Sequence, residues 1–379
     1  MMYTDPPNLV CARPELDQMA EYIPGESLEA FSARTAIPTH VLIKLNSNES
    51  PYGPAPQVLR ALGDHGNYNN YPDTDSNALR QSLAVYTGVD DRLIVVSHGS
   101  NELINLLWHI FLSQGDNIIC CPPTFSLYTT ITAFCGAHVL EVPRTEDYEV
   151  DVERILRALT PQTKLIVLCS PNNPTGNPVA EEDVLALLET GRIVVVDEAY
   201  VEFSDNPGGF AHLVTEHQNL IVLRTFSKWA GLAGLRIGYG LFPEWIVAYM
   251  RRAQCPFEVN VAGHIAAIET LKQLDYTLAK VQQIVQERER LFTMLASHPF
   301  LKPLPSQGNY ILTHVNHQDV SMSQVRAQVE AHGILLRYFN TPYLRDFVRI
   351  TVGLPEHTDK LAQALAKLTG THSIMEMSH

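Results

Sequence analysis

Between Ser97 and about Gly240 the chain alternates stretches of helical periodicity with short, uninterrupted apolar runs, and this alternation predicts a sheet joined by crossover helices. Residues 100–112 (SNELINLLWHIFL) repeat apolar side chains at helical spacing, with Ser100 in the position of an N-cap. Strand-like runs follow at 117–121 (NIICC), 137–142 (AHVLEV), 164–170 (KLIVLCS), 192–197 (RIVVVD) and 220–225 (LIVLRT). Several are apolar at consecutive positions, as strands are when a sheet is covered on both faces. Beyond Phe257 long helical segments take over, then strand patterns at 309–315 (NYILTHV) and 347–352 (FVRITV), a helix around 322–332 between them, and a closing helix. This second pattern predicts a smaller α/β lobe. The first 40 residues have no strong period and contain Pro6, Pro7, Pro14, Pro24 and Pro38, which suits an arm laid over the surface or over a partner subunit.

The length of 379 residues agrees with two lobes, because it exceeds the size at which single hydrophobic cores stop growing. Charge narrows the partners. Lys plus Arg number 27 against 41 Asp plus Glu, a formal charge of −14, so the long-range field repels nucleic acid and anionic membrane. An anionic ligand must be held by locally placed cations. Asp5, Arg13, Glu15 and Asp17 near the start are unlike a signal peptide, and no apolar run is long enough to span a bilayer. The six cysteines lack CxxC spacing, and Cys120, Cys121 and Cys169 fall in strand-like runs, as buried free thiols do. The expectation is a cytoplasmic protein. The 15 histidines form no HExxH or Cys/His cluster, so no metal site is expected.

Four segments concentrate chemistry: HGSNE (98–102), SPNNPTG (170–176), VVVDEAY (194–200) and TFSKWAGLAGLRIGY (225–239). Each follows a strand-like run, which puts it at the carboxyl ends of strands, where open α/β sheets bind ligands. Lys228 comes just after LIVLRT among small residues, and a desolvated lysine at a strand end is a Schiff-base candidate, whereas most lysines are solvated surface charges. Asp197 ends a run of three valines, where an ionised carboxylate is costly unless a cation meets it.

The ordered set of these segments, together with YIPGE (22–26), KLNSNESPYGP (44–54), NYPDTDSNALR (70–80), PSQGNYIL (305–312) and VRITVGLPE (348–356), resembles the fold type I pyridoxal-phosphate enzymes, and among them the histidinol-phosphate aminotransferase family. The resemblance covers nearly the whole chain. It implies a mostly parallel central sheet with helices on both faces plus a smaller α/β domain, divided as an N-terminal arm (1–30), a small domain (31–66 and 259–379) and a large cofactor-binding domain (67–258).

Carried over position by position, the resemblance implies that Lys228 bonds the cofactor and then shuttles a proton, while Asp197 pairs with the pyridinium nitrogen. Tyr200 and Asn173 are expected at the ring's phenolate oxygen and Phe125 against its face. Ser100 and Asn101, opening a helix, would bind the cofactor phosphate through their amides, with Thr225, Ser227 and Arg236 completing the cradle. Tyr71 would reach the phosphate of the neighbouring subunit, which implies a homodimer with shared sites. Arg349 is expected to clamp the α-carboxylate of glutamate, and Tyr22 and Arg337 to grip the distal phosphate of the amino donor, with Asn173 also facing substrate.

The implied reaction is amino transfer from L-histidinol phosphate to 2-oxoglutarate by a ping-pong route through pyridoxamine phosphate. A threonine-phosphate decarboxylase-like lyase, which shares the fold and much of the motif set, and an aromatic amino acid aminotransferase with only the shared core stay open at this point. A transcription regulator built on the same domain would need an added DNA-binding module, for which the N-terminal stretch is too short and the net charge unsuited.

Overall fold

Four of the five strand-like runs become inner strands of a seven-stranded sheet whose two faces are both covered, and the run at 137–142 becomes one of its edges. A computed structural model describes Leu16, residues 24–316 and residues 320–369. Its strands are β1 (Ile43–Leu45), β2 (Ile94–Ser97), β3 (Asn117–Cys120), β4 (His138–Glu141), β5 (Thr163–Cys169), β6 (Ile193–Asp197), β7 (Leu220–Thr225), β8 (Gly238–Leu241), β9 (Leu301–Pro303), β10 (Tyr310–Val315), β11 (Ile334–Tyr338) and β12 (Phe347–Thr351). The larger sheet has the order β2-β8-β7-β6-β5-β3-β4. Its pairs from β7 to β4 are parallel, and β8 runs antiparallel between β2 and β7.

The strand period of two explains why the runs are apolar throughout. In β6, Val194 and Val196 join one core cluster and Val195 the other; in β7, Leu220 and Val222 face one side and Ile221 and Leu223 the opposite side. The helices Ser100–Phe111 and Glu244–Ala253 supply Leu103, Leu107, Trp108 and Met250 to one face, while Asn77–Thr87 and Val261–Lys272 supply Leu79, Leu83, Ala266 and Ala267 to the other. Each such Leu, Ile or Val contributes about 1.5–3 kcal/mol by leaving water. Cys120 and Cys121 fall in different clusters, as adjacent extended residues should.

The second sheet has the order β1-β11-β12-β10-β9 and joins an early segment to the C-terminal part of the chain. β1 pairs parallel with β11, and β11 pairs antiparallel with β12 in a register that sets Arg337 opposite Arg349. Residues 46–49 leave β1 toward the end of the larger sheet.

Two local expectations need correction. Ser100 is the first residue of its helix and not the N-cap, which is Gly99 at φ 85°. Only glycine takes that conformation cheaply, and a Cβ there would lie 2.6 Å from Arg236 Nη2. The aperiodic N-terminal stretch contains a helix, Leu28–Thr35, that periodicity did not reveal. Ser27 caps it, Phe31 is fully buried, and Arg34 pairs with the nearby Glu26 and, through Glu330, ties the helix to the C-terminal part of the chain. Among the described residues, no helix is long and apolar enough to cross a membrane.

Candidate active site

β5, β6 and β7 are parallel neighbours, with Cys169 in register with Asp197, so the segments that follow them start side by side. There a cavity of about 420 Å³ opens between the two sheets. Its lining includes Ser100, Asn101, Phe125, Asn173, Asp197, Tyr200, Thr225, Ser227, Lys228 and Arg236 from the larger sheet's side and Arg337 and Arg349 from the smaller. Tyr71 is not among them. It is 80% exposed on another face, stacked on Phe257 at 4.4 Å between ring centroids. Tyr22 lies outside the described residues.

The DEAY segment sends its two acids in different directions. Asp197, at the end of β6, faces the cavity, where Tyr128 Oη donates to Oδ2 at 2.7 Å and the Ala199 amide donates to Oδ1 at 3.2 Å. Burial pushes its pKa up to about 6, and these two hydrogen bonds hold it from rising further. Glu198 turns away and forms a buried ion pair with Arg224 of β7 at 2.7 Å, also accepting from the Phe210 amide. Removing one member of such a pair typically costs about 3–5 kcal/mol, so Glu198 serves the fold while Asp197 serves the cavity.

The Lys228 amine donates to the Ser47 carbonyl at 3.0 Å and lies 5.9 Å from the centre of the Tyr200 ring. Burial, then the charge of Arg349, pushes its pKa down to about 8, so about a tenth of it is a neutral nucleophile at pH 7, far more than for an ordinary lysine. Tyr200 Oη accepts from Asn48 Nδ2 at 3.1 Å and Asn173 Nδ2 at 3.3 Å.

An anion cradle forms at the start of the helix Ser100–Phe111. Gly238 of β8 packs so closely on it that a Cβ would meet the Ser100 amide nitrogen at 2.6 Å. Arg236 donates to the Ala233 carbonyl at 3.2 Å and Ser227 Oγ at 3.4 Å, and Thr225 Oγ1 donates to Ser227 Oγ at 2.9 Å. The helix dipole contributes about 0.3–2 kcal/mol toward an anion, against roughly 1.5–3 for a charge-assisted hydrogen bond, so Arg236 dominates the cradle.

On the opposite wall Arg349 donates to Asn173 Oδ1 at 2.6 Å and to the Asn46 carbonyl at 2.8 Å, its guanidinium 5.5 Å from the centre of the Tyr310 ring. Arg337, its cross-strand neighbour, lies 5.8 Å from the Phe339 ring centre. Like charges directly opposite in a sheet repel by about 0.2–1 kcal/mol, and an anion between them relieves that repulsion.

Sequence reasoning missed Tyr128, Asn48 and Tyr310. Tyr128 belongs to the PPTFSLY segment that supplies Phe125, three residues on, and its ring meets Phe125 edge-on at 5.5 Å. Helical spacing there was the available signal. Asn48 lies in KLNSNESPYGP, but nothing local to that segment says which distant hydroxyl its amide reaches.

The donor set fits pyridoxal phosphate: a cradle for a phosphate, a buried carboxylate for a cationic ring nitrogen, an amine of lowered pKa for an aldehyde and an aromatic face. Residues 40–367 match the family model described as aminotransferase class I and II. A histidinol-phosphate aminotransferase from Nicotiana tabacum, a chloroplastic protein, is 43% identical over 93% of this chain and 85% of its own length. One from Dehalococcoides mccartyi strain CBDB1 is 40% identical over 94% and 97%. The crystal structure of histidinol-phosphate aminotransferase from Sinorhizobium meliloti in complex with pyridoxal-5'-phosphate superposes with a TM-score of 0.86 at 27% identity, covering 96% of this chain and 99% of that one. With these matches spanning both sheets and the cavity between them, the chain belongs to the class I and II aminotransferases and, within them, to the histidinol-phosphate aminotransferase family.

Proposed function

We propose that this cavity binds pyridoxal phosphate and transfers the amino group of L-histidinol phosphate to 2-oxoglutarate, giving imidazole-acetol phosphate and L-glutamate, a step of histidine biosynthesis. The observation that carries the reading is that a single cavity is lined by Lys228, Asp197 and three arginines, Arg236, Arg337 and Arg349. When bound, the cofactor supplies an electron sink for negative charge developing at the substrate's α-carbon. Asp197 would keep the ring nitrogen protonated, and Tyr128 and the Ala199 amide keep that carboxylate aimed. Lys228 would hold the aldehyde carbon and carry the proton at the substrate's α-carbon. Tyr200 and Asn173 would serve the ring oxygen and Phe125 the ring's face. Ser100, Asn101, Thr225, Ser227 and Arg236 would hold the phosphate.

The two arginines on the smaller sheet divide the substrates. Arg349 clamps the α-carboxylate of glutamate, a group histidinol phosphate lacks, and Arg337, with Tyr22, takes the donor's distal phosphate. The exposed Tyr71 supports a homodimer in which this phenol completes the phosphate site of the neighbouring subunit. The free cysteines suit a reducing compartment such as the cytoplasm. A cavity lined from both sheets supports a division into arm (1–30), small domain (31–66 and 259–379) and large domain (67–258).

A substrate panel tests the assignment. With histidinol phosphate the expected turnover depends on 2-oxoglutarate and yields glutamate, while aromatic amino acids react far more slowly. Carbon dioxide release from phosphothreonine without any 2-oxoglutarate-dependent turnover would replace the transferase with a lyase. Mixing Lys228→Ala chains with Tyr71→Ala chains checks the shared site: a mixed dimer regains one intact site, and no recovery of activity would reject the sharing.

A further inference from the structure

Tyr200 is held by more than the cofactor-facing residues require. A phenol oxygen has one proton to give and two lone pairs to fill. Both lone pairs face amide nitrogens, Asn48 Nδ2 at 3.1 Å and Asn173 Nδ2 at 3.3 Å. Neither amide can turn over freely. Asn173 Oδ1 accepts from the Arg349 guanidinium, which has only donors. Asn48 Oδ1 accepts from the Thr351 hydroxyl at 3.0 Å, and the same hydroxyl oxygen accepts from the Asn48 amide N–H at 2.9 Å, so its proton has one destination. With its acceptor capacity used, Tyr200 is left with its proton to give, and the residue lines the cavity.

We propose that Asn48 is a positioning residue that makes Tyr200 an obligate hydrogen-bond donor toward the cofactor ring and ties that donor to the smaller sheet through Thr351 and Asn309. Thr351 ends β12, and Asn309, just before β10, donates through Nδ2 to the Asn48 carbonyl at 3.0 Å. All three are essentially buried, at 1%, 2% and 0% exposure for Asn48, Thr351 and Asn309. Asn48 also sits at φ 54°, a left-handed conformation that asparagine tolerates better than most residues. Any shift of the smaller sheet relative to the larger therefore moves the amide that polarises Tyr200. The electronics of the ring oxygen and the position of the Arg349 clamp, on the same strand as Thr351, change together.

The inference rests on the cofactor reading above and predicts a spectroscopic effect. Removing the Asn48 donor weakens Tyr200 as a donor, so the ring oxygen's anion is less stabilised and the pH midpoint of the bound cofactor's visible absorption rises. One neutral hydrogen bond corresponds to a rise of about 0.3–1 pH unit. The charged and titratable groups around Tyr200 are Arg349 on β12, Asp197 and Cys169 at the ends of β6 and β5, Tyr310 on β10, and Lys228 after β7. None is altered by the substitutions below.

Spectral titration of the cofactor-loaded protein is the test. Asn48→Leu should raise the midpoint by that amount, Thr351→Val should raise it by less, and Thr351→Ser, which keeps the hydroxyl, should restore it. In a Tyr200→Phe background, adding Asn48→Leu should shift nothing further. Should Asn48→Leu not fold, the Thr351→Val and Thr351→Ser pair decides the matter. An unchanged midpoint in the folded variants, or a full shift persisting in the Tyr200→Phe background, overturns the role of Asn48. A wild-type protein that takes up no pyridoxal phosphate, with no visible band lost in Lys228→Ala, instead overturns the cofactor reading beneath it.

Discussion

The two walls of the cavity are built on opposite electrostatic plans. On the larger sheet the two neighbouring acids at the end of β6 find partners within that wall: Asp197 has the Tyr128 phenol and the Ala199 amide, and Glu198 has Arg224. On the smaller sheet the register of β11 and β12 sets two arginines directly opposite each other. The first wall is organised before any ligand arrives. The second concentrates positive charge in a chain of net charge −14, which favours an anion there. In the function proposed above, chemistry common to both half-reactions rests on the first wall, and discrimination between a carboxylate and a phosphate on the second.

The largest expected break is Lys228→Ala. Loss of proton transfer alone should lower turnover by about 10²–10⁴-fold, and covalent capture of pyridoxal phosphate should vanish. In the unaltered, cofactor-free protein only the neutral amine attacks. The capture rate, followed by stopped-flow absorbance, should therefore rise with pH, level off above about 8, and fall tenfold per unit below it. A midpoint near the ordinary lysine value would show that burial does not set this amine. Next comes Asp197→Asn, expected to lower kcat by about 10²–10³-fold, the size seen when one preorganised electrostatic contact is removed, with a much smaller change in cofactor affinity.

The arginine wall should respond in affinity. Arg349→Ala is expected to lower kcat/KM for glutamate by roughly 10–100-fold, the equivalent of one charge-assisted contact. Arg337→Ala should weaken the phosphorylated donor similarly and leave glutamate nearly unchanged. Equal losses for both donors in Arg337→Ala would erase the division of labour between the two positions. The smallest effect belongs to Tyr128→Phe, about 2–10-fold in kcat. Without the phenol, the pKa of Asp197 should climb above about 6, so the deficit should be deepest at acid pH and shrink as pH rises. A deficit independent of pH would mean that Tyr128 supports packing alone.

How much of this was readable in advance differs between the walls for a physical reason. Asp197 and Lys228 sit on or just after strands whose apolar runs announce them, and their chemistry follows from residue type at a strand end. The Gly99 cap was misread because its requirement comes from Arg236, more than a hundred residues away, whose guanidinium occupies the space of a Cβ. The helix Leu28–Thr35 was invisible because it is held by a cap and by ion pairs to Glu26 and Glu330, and such contacts leave no periodic trace. Tyr128 and Asn48 were passed over because each acts through an atom on a distant segment, Asp197 Oδ2 and Tyr200 Oη.

The amino-acid sequence by itself determined the alternation of strands and helices, the two lobes, and the ordered segments that mark the family, because hydrophobic period and turn chemistry are local properties of the chain. Only the tertiary structure decided that Asp197 and Glu198 part company, that Arg337 faces Arg349, and that Asn48 turns Tyr200 into a donor. Those outcomes depend on strand register and on which buried polar atoms must share partners. Both are settled when distant segments pack, because each buried group must then find its hydrogen bond or leave the core.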